Sequence, residues 1–208
     1  MLEIKEAWAS LPGRELYRDV SFEVEGGECL TVLGRSGSGK STLLSFLSGT
    51  AAPGVETGGQ VILNGQPIGD LRPEKRRVGI VFQDAALFPH MTALRNLLFA
   101  MPSGGKKPER AAWALQALGS VGAEHLAGVY PEQMSGGERA RVALVRTLIA
   151  EPRAVLLDEP FSALDRDLRG EVRELTLGLV RERSLPCLLV THDEEDAEAA
   201  GGKVLRLS

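Results

Sequence analysis

The residues Gly34-Arg35-Ser36-Gly37-Ser38-Gly39-Lys40-Ser41 restrict this chain more than any other stretch, because they fit G-x-x-x-x-G-K-[ST] and follow the apolar run Cys29 to Leu33. A buried strand that enters a glycine-rich turn and then a helix lets successive backbone N–H groups converge on phosphate oxygens. The helix that begins near Lys40 aims the positive end of its dipole at the same point. In that arrangement the Lys40 ammonium reaches the β- and γ-phosphates, the Ser41 hydroxyl is a magnesium ligand, and Thr42 is the next polar group of the nucleotide cradle. A glycine turn that merely caps a helix is the bland alternative. Average residue usage would produce the pattern by accident on the order of once in a hundred chains this long. Such a loop serves kinases, GTPases and transport ATPases alike.

Composition removes several other classes. At 208 residues the chain has room for one compact unit with a subdomain, and its 28 acidic against 24 basic residues, with no arginine-lysine tract, argue against nucleic acid as the main partner. The longest apolar runs, such as Ala154 to Leu157 and Pro186 to Val190, fall far short of the roughly 20 residues that span a bilayer. The charged, alternating start Met1-Leu2-Glu3-Ile4-Lys5-Glu6 is unlike a signal peptide, so the chain is expected in the cytoplasm or on the cytoplasmic face of a membrane. Cys29 and Cys187 sit in separate apolar runs without metal-type spacing and read as buried thiols. His90, His125 and His192 are too scattered for a metal site.

Periodicity predicts strands at Leu2 to Ile4, Val20 to Val24, Cys29 to Leu33, Gln60 to Leu63 with a turn at Asn64-Gly65, Ala154 to Leu157, Cys187 to Val190 and Val204 to Leu207. Helical spacing covers Thr92 to Met101, Pro108 to Leu118, about Gly136 to Ala150 and about Asp165 to Arg183, with a short acidic helix after His192. Alternating strands and helices imply an α/β fold with a mainly parallel sheet, interrupted by a helix-rich insertion. The strand at Ala154 ends in Asp158 and Glu159, at the carboxyl edge where such sheets bind ligands. Asp158 is placed to hold magnesium through a water, and Glu159 to polarise the attacking water of a hydrolysis. An acidic helix start is the competing reading of this pair.

Met134-Ser135-Gly136-Gly137-Glu138, followed by Arg139-Ala140-Arg141-Val142-Ala143-Leu144, closely resembles the signature sequence of ATP-binding cassette ATPases. Gln83 in Val81-Phe82-Gln83-Asp84, the segment Ser162-Ala163-Leu164-Asp165, and His192 in Val190-Thr191-His192-Asp193 match further motifs of that family, in the family's order. The resemblance implies an α/β P-loop NTPase with a RecA-like core, an antiparallel β-subdomain and an inserted helical signature subdomain. The core would take about residues 1–84 and 152–208, and the helical subdomain about 85–151. It also implies that two copies sandwich two ATP molecules with Mg2+, each phosphate loop facing the other copy's Ser135, Gly136, Gly137 and Glu138. Gln83 would touch magnesium and sense a membrane partner, Asp165 would communicate across the dimer, and His192 would contact the γ-phosphate beside the catalytic Glu159 and Lys40.

Two positions depart from the family pattern. Met134 and Glu138 stand where Leu-Ser-Gly-Gly-Gln is usual, and Leu11 stands where an aromatic usually stacks on adenine, with Trp8 and Tyr17 expected to pack on the sheet instead. The Glu138 side chain is expected to point away from the γ-phosphate. The stretch from Arg76 to Thr92 is similar to solute-importer ATPases for substrates such as thiamine, iron, sulfate or molybdate. That similarity implies transmembrane permease subunits and a solute-binding protein as partners, with Leu87, Phe88 and Met91 filling a groove for the permease. No regulatory β-domain is expected after the last strand. A soluble cassette ATPase of DNA repair or translation is the alternative, but this chain has neither the long coiled coil of the former nor the paired cassettes of the latter. A small-molecule kinase would leave the signature helix without a role.

Overall fold

The computed structural model describes residues 1–207, apart from the side chain of Asp167, and these form two compact units. The first comprises Met1–Ile80, Arg153–Glu159 and the chain from Leu177 onward; the second comprises Val81–Pro152 and Pro160–Thr176. Along the chain run β1 (Leu2–Leu11), β2 (Arg14–Val24), β3 (Cys29–Gly34), α1 (Lys40–Ser48), β4 (Glu56–Leu63), β5 (Gln66–Pro67), α2 (Pro73–Arg76) and β6 (Val78–Val81). There follow α3 (Ala93–Ala100), α4 (Lys107–Gly119), α5 (Gly136–Ile149), β7 (Ala154–Asp158), α6 (Arg166–Glu182), β8 (Cys187–Thr191), α7 (Glu194–Ala200) and β9 (Val204–Leu207).

The first unit carries two sheets. Strands in the order β2-β1-β4-β5 make an antiparallel sheet, and β6-β7-β8-β3-β9 make the second, in which β7, β8, β3 and β9 pair in parallel. Parallel strands covered on both faces read as continuous apolar runs, and the side chains of Ala154 to Leu157 and Cys187 to Val190 are all buried. In β1 the alternation changes phase: Leu2 and Ile4 face inward, then Ala7 and Ala9. A bulge between Ile4 and Ala7, with Glu6 at φ 52°, resets the face, which is why the sequence pattern ended at Ile4 while the strand continues to Leu11. Helix α1 buries Leu43, Leu44 and Leu47 in a core shared with Val32, Leu156, Val190, Ile4 and Val61. Each such side chain stabilises the packing by roughly 1.5–3 kcal/mol relative to exposure. The last turn of α1 ends at Gly49 (φ 78°) and is held by Arg76, only 7% exposed, whose Nη1 donates to the carbonyls of Phe46 (2.7 Å) and Leu47 (3.0 Å). Its Nε donates to Leu71 O at 2.9 Å and its Nη2 to Gly69 O.

The second unit is helical, and the starts of α3, α5 and α6 are capped by side chains. Thr92, Ser135 and Asp165 accept from the backbone N–H groups of Arg95, Glu138 and Leu168. Asn96 is fully buried and knits the preceding loop: Phe88 N–H donates to its Oδ1 (2.9 Å), and its Nδ2 donates to the carbonyls of Phe88, Met91 and Thr92 (3.1–3.2 Å). Residues 160–176 cluster with this unit because α6 starts against α5. Arg141 pairs with Glu171 at 2.8 Å, and a Cβ on Gly137 would collide with the Leu168 side chain. Strand β6 and the one-turn α2 carry no sequence signal, since Val78–Val81 contains Gly79 and is only partly buried.

Candidate nucleotide site

The phosphate loop lies at the carboxyl end of β3. Gly37 and Gly39 adopt φ of 79° and 93°, a region that glycine enters without steric cost. A Cβ on Gly39 would sit 2.9 Å from the Tyr17 ring, and one on Gly34 would sit 2.5 Å from Ser38 Oγ. The loop is thus fixed from outside by packing. Lys40, 6% exposed, folds over it and donates from Nζ to the carbonyls of Gly34 (2.8 Å) and Arg35 (3.0 Å). Ser38 Oγ is buried without a hydrogen-bond partner, a donor left over for an anion's oxygen. These features fit phosphate. A cleft of about 550 Å³ beside Gly34 and Arg35 is also lined by His192, Glu194 and Arg206.

The carboxylates sit where β7 ends. Ser41 Oγ donates to Asp158 Oδ1 at 3.2 Å, so a hydroxyl and a carboxylate from separate elements converge as the hard oxygen set that magnesium takes. Burial pushes the Asp158 carboxyl above the usual range; the Ser41 hydrogen bond and Lys40 oppose this, and Glu159 adds to it. A bound divalent cation would relieve that strain. Glu159 has left the strand: its φ is 46°, its N–H donates to Val190 O (2.9 Å), and its Oε2 lies 3.0 Å from His192 Nδ1. Lys40, Ser41, Asp158, Glu159 and His192 are therefore brought together in the first unit.

The remaining sequence candidates belong to the second unit. Ser135 caps α5, with Gly136 and Gly137 as its first residues. The turn before Asp165 packs there, since a Cβ on Gly136 would lie 3.7 Å from Leu164. Gln83 and Asp84 share a shallow cleft with Gly136, Arg139, Pro160 and Ala163. The Glu138 carboxylate folds back on Ser135, accepting from its N–H and its hydroxyl. Of the groove candidates, Leu87, Phe88 and Met91 are half-buried, while Phe82, Phe99 (65%), Trp113 and Tyr130 of the same unit are exposed. Arg14 carries no sequence signal for this site, and Tyr17, expected on the sheet, also reaches it. Arg14 donates from Nη2 to Gly37 O at 2.9 Å, and the Tyr17 ring backs Gly39; only the register of the β1–β2 hairpin brings either to the loop.

The family model for the ABC transporter matches residues 17–162. The uncharacterised ABC transporter ATP-binding protein YnjD of Escherichia coli K12 is 42% identical over 199 residues, which are 96% of this chain and 92% of that protein. The spermidine/putrescine import ATP-binding protein PotA of Chromobacterium violaceum is 41% identical over all of this chain and 57% of its own length. The sulfate/thiosulfate import ATP-binding protein CysA of Pseudomonas aeruginosa is 37% identical, over 98% of this chain and 63% of its own length. The chain thus spans little more than half of these two relatives. Among solved structures, the dimeric post-hydrolysis state of the ATP-binding cassette MJ0796 with ADP and Pi matches with a TM-score of 0.83 and 30% identity, over 100% of this chain and 94% of that one. The chain belongs to the ABC transporter family, as an ATPase whose substrate is ATP and whose metal is magnesium.

Proposed function

We propose that this chain is the nucleotide-binding subunit of a solute importer and that it hydrolyses ATP as one half of a head-to-tail dimer on the cytoplasmic face of a membrane. The juxtaposition of Glu159 and His192 beside the Ser41–Asp158 pair carries the catalytic half of this reading. Gly34 to Thr42 cradle the phosphates through backbone N–H groups, and Lys40 exchanges its two loop carbonyls for β- and γ-oxygens. Ser41 and Asp158 would hold magnesium, which when bound would offset charge on the phosphates, and the family resemblance gives Gln83 the role of a further magnesium contact. Glu159 orients the attacking water and takes its proton, and His192 holds Glu159 and reaches the γ-phosphate. Ser135 and the first N–H groups of α5 serve the nucleotide of the second copy, with Glu138 beside them and Asp165 passing the state of one site to the other.

The importer half of the reading rests on the names of PotA and CysA and on the exposed apolar residues Phe82, Phe99 and Trp113 in the unit that also holds Gln83. Permease subunits would dock there, and a solute-binding protein would supply the solute. In this reading the catalytic core corresponds to about residues 1–84 and 152–208, and the helical subdomain to about 85–151. No helix among the described residues is long and apolar enough to cross a membrane. The test is Glu159→Gln. This variant is expected to bind ATP normally, to hydrolyse it about 100-fold or more slowly, and to run as a nucleotide-bound dimer on size exclusion. Near-normal turnover would overturn the assignment.

A further inference from the structure

The start of α5 holds a carboxylate that its pattern does not call for. Glu138 Oε2 accepts from the Ser135 N–H (2.7 Å) and also from the Ser135 hydroxyl (2.8 Å), while Glu138 N–H donates to Ser135 Oγ (3.3 Å). In an ordinary capping box only the backbone N–H groups are consumed; here the hydroxyl proton is committed as well. The other carboxylate oxygen, Oε1, lies 3.5 Å from Nε2 of His125, on the short turn Glu124–Leu126. The Ser135 N–H, then its hydroxyl, and after them His125 hold the Glu138 carboxyl below its ordinary range, so it is an anion at neutral pH. The neighbouring cations are turned elsewhere, Arg139 to Met134 O (2.6 Å) and Arg141 to Val121 O (3.1 Å) and Glu171 (2.8 Å). His125 is the group positioned to act on Glu138.

Resting on the head-to-tail reading above, two demands follow for Ser135. Its hydroxyl must leave Glu138 to donate to a γ-phosphate, and that phosphate must approach beside a carboxylate. Two anions brought together as water is excluded disfavour each other strongly. An amide at position 138 would carry no charge toward the phosphate and would hold the Ser135 hydroxyl less strongly. We propose that His125 is a positioning residue for hydrolysis: its Nε2, facing Oε1, draws the Glu138 carboxylate outward, so that the Ser135 hydroxyl passes from Glu138 to the ATP of a second copy.

The experiment is a double-mutant cycle read by ATP-dependent dimerisation in the Glu159→Gln background and by KM and kcat in the parent. His125→Ala is expected to weaken dimerisation and raise KM by about fivefold, while the same change beside Glu138→Gln alters either by less than about twofold. His125→Lys, which keeps a nitrogen donor within reach of Oε1, is expected to retain parental dimerisation. His125 is an exposed turn residue, and a purely structural role would damage both backgrounds alike. An equal loss with Glu or Gln at 138, no loss with Glu, or a failed rescue by Lys overturns the proposal. Ser135→Arg separates the two levels of inference: if it leaves dimerisation intact, the head-to-tail reading itself is wrong, whatever His125 does.

Discussion

Asp158 is a charge placed where the unliganded fold resists it, and the sign of that cost can be followed with pH. Burial raises its folded pKa above the unfolded value near 3.9, so the ionised form destabilises the protein above the folded pKa, and the cost vanishes as pH falls below the unfolded one. Asp158→Asn, which can still accept from Ser41, is therefore expected to raise the Tm of the metal-free protein at pH 7 by roughly 2–4 °C. The gain should shrink toward pH 4, and Mg-ATP hydrolysis should be lost. Calorimetry across pH checks the sign, and a lower Tm at pH 7 would mean that the carboxylate is stabilised by its surroundings. Leu11 poses a question of recognition. It is exposed at the tip of the β1–β2 hairpin, Tyr17 is buried behind Gly39, and the Trp8 indole lies over Gly58. Without an aromatic face for the base, affinity rests on the phosphates, and ATP and GTP should bind alike. Leu11→Tyr should then tighten ATP binding by about tenfold, given roughly 1–3 kcal/mol for a stacked base. Titration of both nucleotides with Leu11→Tyr and Trp8→Ala decides the matter; a large loss in Trp8→Ala with no gain from Leu11→Tyr would place the base on Trp8.

Helix α1 is nine residues long and is fixed at both ends by different means. Its N-terminus is the phosphate cradle; its last carbonyls are held by Arg76, which arrives from α2. Arg76→Met keeps the bulk but removes the side-chain donor to Leu47 O and one of the two donors to Phe46 O, the other being Gly49 N–H, and is expected to lower Tm by roughly 5–10 °C. Amide exchange should speed up first in the last turn of α1, and uniform acceleration along the helix would count against a local role. Elements of this kind mark the limit of what a sequence shows. The strand, loop and helix from Cys29 to Ser48, and the paired acids ending β7, are legible because apolar run, glycine spacing and residue type are all local. The Arg76 clamp, the reach of Arg14 to Gly37 and the pairing of His125 with Glu138 join residues 13 to 30 positions apart through tertiary register, and no periodicity announces them. The bulge at Glu6 hid half of β1 for the opposite reason: a local backbone irregularity reversed a pattern that was being read as regular.

At the scale of the molecule, the two units differ in how the chain assembles them. Most of the second is one continuous stretch, Val81–Pro152, whereas the first gathers three separated pieces. The strand that carries the phosphate loop, β3, has as its neighbours β8 and β9, the last two strands of the described chain. A ribosome adding about 5–20 residues per second would therefore release β3 roughly 10–30 s before its partners exist. During that interval the strand has two unpaired edges, while the helices of the second unit can already pack. Stalled nascent chains offer a direct measurement. Protease protection of Val81–Pro152 is expected well before residue 187 emerges, and nucleotide-dependent protection of the phosphate loop only once residues through 207 are free of the exit tunnel. Earlier protection of the loop would mean that another element shields β3 in the interim. The order of strands in one sheet thus sets nucleotide binding after the packing of the second unit during synthesis, and leaves β3 exposed to chaperones or to misassociation until β8 and β9 emerge.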